Sequence, residues 1–429
     1  MKRNSLLLAT ALLIGMTGCK NTPVQKEAGI SNALDAASYQ LKSTAEELSG
    51  TSKFPRSIYS GYDVNFLDAQ LQRENKAYID SLHPNPEALQ LGQKRLCGIA
   101  DWTSGFFPGE LWFLYEYTQN NFWKKKAQQH TDILEQEKMN GGTHDMGFKM
   151  YCSFGNGYRL TQDERYKEIL LQSARTLSTR FKPKAGIIRS WDHNKDKWQC
   201  PVIIDNMMNL ELLFWATKES KDSTYYNIAV SHARTTMKNH FRADYSCYHV
   251  IDYDTITGQV LKKNTHQGLA HESAWARGQA WALYGYTMCY RETKLPEFLE
   301  QAKKVEQYLF THKNMPEDLI PYWDFDAPGI PNEPRDASAA TVIASALYEL
   351  SQYDRKNSER YKKNADRIVE NLTNSYRTTL NKDNGFLLLH STGTKPTNVE
   401  VDVPIVYADY YFIEALLRKD KLEKTGKLF

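Results

Sequence analysis

Past residue 19 the chain has no apolar run long enough to cross a membrane as a helix. It has no HExxH helix, no phosphate-cradling Gly loop, no dinucleotide fingerprint and no GxSxG elbow. The usual supports of zinc-protease, nucleotide and serine-esterase chemistry are therefore missing. Nothing in it requires a metal or an organic cofactor. Cysteine is scarce: Cys19, then Cys97, Cys152, Cys200, Cys247 and Cys289, with no CxxC pair and no metal spacing. Beyond Cys19 they are odd in number, widely spaced and set among apolar residues, so buried free thiols are expected. Neither charge dominates, with 54 Lys and Arg against 51 Asp and Glu, net +3. No basic run or aromatic–basic interleaving appears, so nucleic acid is not an expected partner. No linker rich in Pro, Gly or Ser divides the chain.

What is present begins with a targeting segment. Lys2 and Arg3 precede the short apolar stretch Leu6–Ile14, and Met16-Thr17-Gly18-Cys19 has the small-residue-then-Cys pattern of a bacterial lipoprotein signal. The expected organisation is a signal over 1–18, a lipid-anchored tether over 19–32 starting at a lipidated Cys19, and one domain over 33–429. The membrane would be met through that lipid only. No acidic cluster follows Cys19, so a periplasm-facing place in the cell envelope is expected, with the protein a monomer or weak homo-oligomer. Aromatic residues make up 12% of the chain and include nine Trp. That suits a large core or a carbohydrate-facing surface.

An architectural repeat organises the rest. Six segments share a polar or acidic start followed by a buried-looking helix, beginning near Asp101, Asp145, Asp205, Ser273, Asp336 and Asp402. Between them lie amphipathic, charge-rich helices over Asn121–Lys138, Glu164–Phe181, Ser223–Phe241, Pro296–His312 and Ser358–Thr379, with Asn65–Ser81 as the sixth. This alternation predicts an all-α (α/α)6 toroid, six inner helices ringed by six outer ones. A right-handed solenoid of helix pairs is the competing arrangement. Closure is favoured by long connections with strand-like pieces, at Gly186–Trp191, Gly385–His390 and a hairpin of Tyr248–Asp254 with Gln259–Lys262. In a toroid these would ring one mouth, where a site would sit.

The candidate chemistry gathers at that mouth. Asp205 ends the β-branched run Val202-Ile203-Ile204 and opens an apolar helix. Its ordinary job would be to cap that helix. A carboxyl at the mouth of a buried helix is also desolvated, which raises its pKa and suits it to proton transfer. Asn209 lies one turn on. His144-Asp145 follows a Gly-Gly turn and precedes another buried helix; Asp145 is a second cap or a second acid, and His144 a packed loop histidine or a catalyst. Two acids at the starts of neighbouring buried helices form the pairing that sugar chemistry uses. Arg277 sits in an otherwise apolar helix and needs either a protein carboxylate or a ligand one. Trp275 and Trp281 are core or sugar platform, and His249 lies on the hairpin. Ser391-Thr392-Gly393-Thr394-Lys395 is a hydroxyl-rich loop ending in a cation.

In order along the chain, Asp101-Trp102-Thr103-Ser104-Gly105-Phe106-Phe107-Pro108-Gly109, His144-Asp145-Met146-Gly147-Phe148, Ile204-Asp205-Asn206-Met207-Met208-Asn209-Leu210 and Trp275-Ala276-Arg277-Gly278-Gln279-Ala280-Trp281 resemble the unsaturated glucuronyl hydrolases, family 88 of the glycoside hydrolases. The resemblance implies an (α/α)6 barrel and substrates left by polysaccharide lyases, oligosaccharides ending in a 4,5-unsaturated uronic acid. It implies hydration of the C4=C5 vinyl ether, with Asp205 as general acid/base and Asp145 as the second essential acid. By the same resemblance Trp102, His249, His266, Gln267, Arg277 and Trp281 bind substrate. Some members recognise sulfated ends through a Ser-x-x-Ser-x-Lys loop. Here Ser391 and Thr394 keep the hydroxyl spacing, while Lys395 comes one place early. Two other readings stand beside this one: an unsaturated rhamnogalacturonyl hydrolase acting on pectin fragments, and a non-catalytic glycan-binding lipoprotein. The Trp-Ala-Arg-Gly-Gln-Ala-Trp run favours the first over the pectin enzyme, and the presence of both acids argues against a mere binder.

Overall fold

The structure, a computed structural model, describes residues 30–62 and 91–429. Six inner elements close into a ring. They are α2 (Phe106–Thr118), the π-helix Gly147–Gly155 running into α4 (Asn156–Thr161), α6 (Asn206–Ser220), α8 (Ala276–Thr293), α10 (Ala337–Leu350) and α12 (Val406–Thr425). Each packs on the next, and α12 packs back on α2, which makes the arrangement a closed toroid and excludes the open solenoid. Their interiors are apolar nearly all round. In α10 every residue from Ala337 to Leu350 is buried, as a helix enclosed on all sides must be.

The outer helices bury one stripe each. They are α3 (Asn121–Asp132), α5 (Glu164–Ser178), α7 (Ser223–Asn239), α9 (Pro296–Thr311) and α11 (Ser358–Asn371). In α5 the stripe is Tyr166, Ile169, Leu170, Ser173, Ala174 and Leu177, the three-and-four spacing of an amphipathic helix. The sixth outer place, against α12 and α2, is filled by α1 (Ile30–Glu47). The outer helix expected at Asn65–Ser81 lies outside the described residues, as do the signal and Cys19. Residues 30–32, read from the sequence as the end of a tether, are already helical.

Every inner helix begins at the same mouth, and short strands line it. Strand β1 (Phe54–Ile58) pairs antiparallel with β2 (Lys94–Cys97), and β3 (Phe181–Lys182) with β4 (Ile187–Ile188). Strand β5 (Pro201–Ile203) pairs with β6 (Val250–Tyr253), which forms the expected hairpin with β7 (Val260–Asn264). The strand-like piece at Gly385–His390 is reduced to one bridge, Leu388 with Arg377. The five described cysteines are buried free thiols. Among the described residues no helix is long and apolar enough to cross a membrane.

Candidate active site

Strand β5 delivers the chain to Asp205 at the first turn of α6. The carboxylate accepts nothing from the first-turn N–H groups, so the capping role fails. The residue is 7% exposed, and Oδ2 has no hydrogen-bond partner. Burial pushes its pKa from 3.8 to about 7; Asp145 adds to the rise, while Arg277 and the Trp281 indole oppose it. An uncapped, desolvated carboxyl half-protonated near neutrality can both give and take a proton.

Its neighbours are fixed from several elements. His249 on the strand hairpin is buried, with Nε2 3.6 Å from Asp205 Oδ2. Its Nδ1 accepts the backbone N–H groups of His266 and Gln267, each at 3.1 Å. Two donors on Nδ1 require its lone pair, so the ring proton sits on Nε2, facing Asp205. Burial, with the nearby charges of His266 and Arg277, holds His249 well below its ordinary pKa and keeps it neutral. Asp145 stands at the start of the π-helix. Its Oδ2 accepts from the Thr143 hydroxyl at 2.6 Å, and its Oδ1 lies 3.2 Å from His144 Nε2. The cap of this helix comes from elsewhere: Asn209 Oδ1 accepts the Phe148 N–H at 3.0 Å. Gly147 permits that approach, because a Cβ there would lie 2.6 Å from the Asn209 Cα. Asn209 thus locks together the two helices that carry the acids.

The other sequence-predicted residues divide between the mouth and the layers beneath it. Arg277 has a protein carboxylate: Nη1 donates to Asp336 Oδ2 at 2.8 Å and to the Thr392 carbonyl at 2.5 Å, and Nη2 to the Gly393 carbonyl at 2.7 Å. It remains a positive charge felt by Asp205. Trp281 is fully buried between Phe148 and Tyr411, at ring separations of 5.3 and 5.5 Å. It is not a surface platform; its indole, under the acid, is the part that reaches the site. Ser391 is fully enclosed, because its backbone pairs with Val403 on both sides and draws the side chain inward. Thr394 and Lys395 are half-buried; the Thr394 hydroxyl accepts from Thr397 at 3.1 Å, and Lys395 Nζ lies 3.4 Å from Asn398 Oδ1. Gln267 Nε2 donates to the Gly393 carbonyl at 3.2 Å. Trp102 is half-buried at the mouth, its ring 5.0 Å from that of Tyr407. Among the described residues no cluster of three or more His, Cys, Asp or Glu is placed to hold a metal.

Residues 64–421 match Glycosyl Hydrolase Family 88, and residues 1–73 match a domain of unknown function. The chain belongs to glycosyl hydrolase family 88. It is 54% identical over 324 residues to an unsaturated glucuronyl hydrolase of Formosa agariphila, covering 75% of this chain and 80% of that one. The crystal structure of an unsaturated glucuronyl hydrolase specific for heparin superposes with a TM-score of 0.82 at 43% identity, covering 92% of this chain and 98% of that one. A mutant unsaturated glucuronyl hydrolase from Streptococcus agalactiae, complexed with dGlcA-GalNAc6S, superposes with a TM-score of 0.70 at 26% identity, covering 91% of each chain.

One wall of this family 88 site was not read from the sequence. Trp191 stacks on His193 at 5.2 Å and meets Trp198 edge-on at 5.5 Å, and His266 lies 5.8 and 5.9 Å from the two indoles. Trp191 bridges Thr143, the residue that holds Asp145. The available signal was three rings within eight residues of a polar loop. A cavity opens at the far end of the barrel, lined by Tyr151, Tyr284, Arg291 and Glu414. It is remote from the mouth, on the other side of the Phe148–Trp281–Tyr411 rings, and Arg291 is spent on Glu211 and Glu349.

Proposed function

We propose that the chain is an unsaturated glucuronyl hydrolase, removing the non-reducing-end 4,5-unsaturated uronic acid from lyase-generated glycosaminoglycan oligosaccharides. The observation that carries this is Asp205: buried, uncapped, titrating near 7, with a second carboxylate beside it and two N–H groups turned toward it. A vinyl ether needs such a group. Protonated Asp205 donates to C4, which places positive charge on C5 and the ring oxygen. Water adds at C5 and returns its proton to the Asp205 carboxylate. The hemiketal so formed opens and releases the next sugar. His249 Nε2–H and the Trp281 indole N–H stabilise the carboxylate in the interval when it is ionised. Asp145, held by Thr143, orients the sugar or the water. No bond at C1 is displaced, so the separation of the two carboxylates does not select inversion or retention. Trp102, half-buried at the mouth, is suited to stack on a sugar ring.

The reaction destroys the conjugated C4=C5 chromophore, so ultraviolet absorbance tests it directly. Unsaturated disaccharides from heparin, chondroitin and hyaluronan should lose their absorbance. Loss confined to a pectin-lyase product would transfer the protein to the rhamnogalacturonyl class, and loss on none would refute the reading. The N-terminal pattern at Met16–Cys19 supports a lipid-anchored, periplasm-facing enzyme. Persistent membrane partitioning of Cys19→Ser would overturn that placement.

A further inference from the structure

The family 88 match begins at residue 64, and the segment ahead of it has a match without a function. In the fold that segment is not separate. Its helix α1 fills the outer ring, and its strand β1 lies at the mouth, where Ser57 bridges Ile405 just ahead of α12. The β1–β2 register slips between Pro55 and Ser57, which leaves Arg56 as the extra, bulged residue. A bulge re-aims a side chain out of the strand's alternation.

Arg56 is aimed at two acids on neighbouring loops of the mouth, one ahead of α2 and one ahead of α12. Its Nε and Nη2 donate to the two Glu400 oxygens at 2.7 and 3.1 Å, a fork that fixes both partners, and Nη1 pairs with Asp101. Glu400 is 2% exposed and holds a left-handed backbone, φ 56°, which side chains seldom adopt without being held there. Its carbonyl accepts the Gly393 N–H at 2.6 Å. Gly393 in turn receives Arg277 and Gln267 on its own carbonyl. On the other loop, Asp101 Oδ1 accepts the N–H and hydroxyl of Thr103 at 2.9 and 2.7 Å, which fixes the turn that carries Trp102. One guanidinium therefore spans the Trp102 turn and the 391–400 loop.

We propose that the segment matched as a domain of unknown function serves the sugar site itself, with Arg56 as a positioning residue that sets the separation between Trp102 and the 391–400 loop. This rests on the function proposed above. Loss of Arg56 leaves Glu400 with Ser57 and Arg95, at 2.8 and 3.5 Å, so the loop should loosen while the barrel stays folded.

The test uses the full chain with Arg56→Ala, Arg56→Lys and, as a control, Gln40→Ala. Gln40 ties α1 to the Lys382 and Phe386 carbonyls at 2.7 and 3.3 Å, far from the acids. Arg56→Ala should raise KM for an unsaturated disaccharide roughly tenfold, the loss expected for one charge-assisted contact. Its kcat and pH profile should hold. Arg56→Lys keeps the charge and loses the fork, so it should recover part of the loss. Gln40→Ala should lower the melting temperature and leave KM alone. Hydrogen exchange supplies a readout independent of turnover: the Gly393 and Thr394 amides should exchange faster in Arg56→Ala and not in Gln40→Ala. Unchanged exchange there overturns the proposal whatever the substrate proves to be. Unchanged KM in a variant of an active wild type overturns it as well. An inactive wild type whose loop still loosens would refute only the assigned reaction.

Discussion

Replacing Asp205 by Asn changes the side-chain volume little and removes the titrating proton. The wild-type carboxyl moves from 3.8 to about 7 on folding. Between those values the folded chain holds a proton that the unfolded chain has released. Stability contributed by the neutral acid is complete below about pH 4 and is lost as pH rises through 7. Three pKa units correspond to about 4 kcal/mol. Asn stays neutral throughout. The variant should therefore match the wild type near pH 3.5 and exceed it by up to about 4 kcal/mol at pH 8. With unfolding entropy of about 2 cal/mol/K per residue, that is a rise in Tm of roughly 5 °C in a chain of this size. Turnover should fall by about 10²–10⁴-fold, the usual contribution of a positioned acid/base. Calorimetry at the two pH values and the ultraviolet assay measure both sides of the exchange. A variant that keeps its turnover, or whose Tm difference from wild type is the same at both pH values, would refute the argument that burial of this carboxyl is the catalytic device.

Two other outcomes are expected. Because the donor form of Asp205 is depleted above its pKa of about 7, kcat/KM should decline about tenfold per pH unit on the alkaline side; a rate that stays flat to pH 9 would exclude Asp205 as the proton donor. Arg277→Met strands the fully buried Asp336 carboxylate, at a cost of about 3–5 kcal/mol. It also removes the main charge that lowers the Asp205 pKa, so the alkaline limb should shift to higher pH. A variant with wild-type Tm and an unmoved limb would show that the pair does neither.

The alternation of buried and amphipathic helices was legible because the two classes differ in composition over whole turns, and that contrast survives without coordinates. The sixth outer helix was harder to see. The stripe of α1, with Ala33, Leu34, Ala37, Leu41 and Ala45 buried, abuts a polar segment that reads as tether. The two acids were legible because each stands at an abrupt change from polar loop to apolar helix. Depth was not. Trp281 and Ser391 belong to motifs beside the site, yet one lies beneath it and the other is enclosed. Direction at a mouth depends on the rotation of each helix in its ring, which packing sets.

The sequence by itself pointed to the toroid and its mouth and singled out Asp205 and Asp145 as candidates, since hydrophobic periodicity and local motif are properties of neighbouring residues. Only the tertiary structure decided what those residues can do. Asp205 is desolvated by groups from other inner helices and the strand hairpin. His249 has its proton placed by amides 17 and 18 residues on. Asn209 caps a helix 61 residues away, and Arg56 reaches an acid 344 residues distant. Charge states and tautomers follow from neighbours in space, and chain order does not list them.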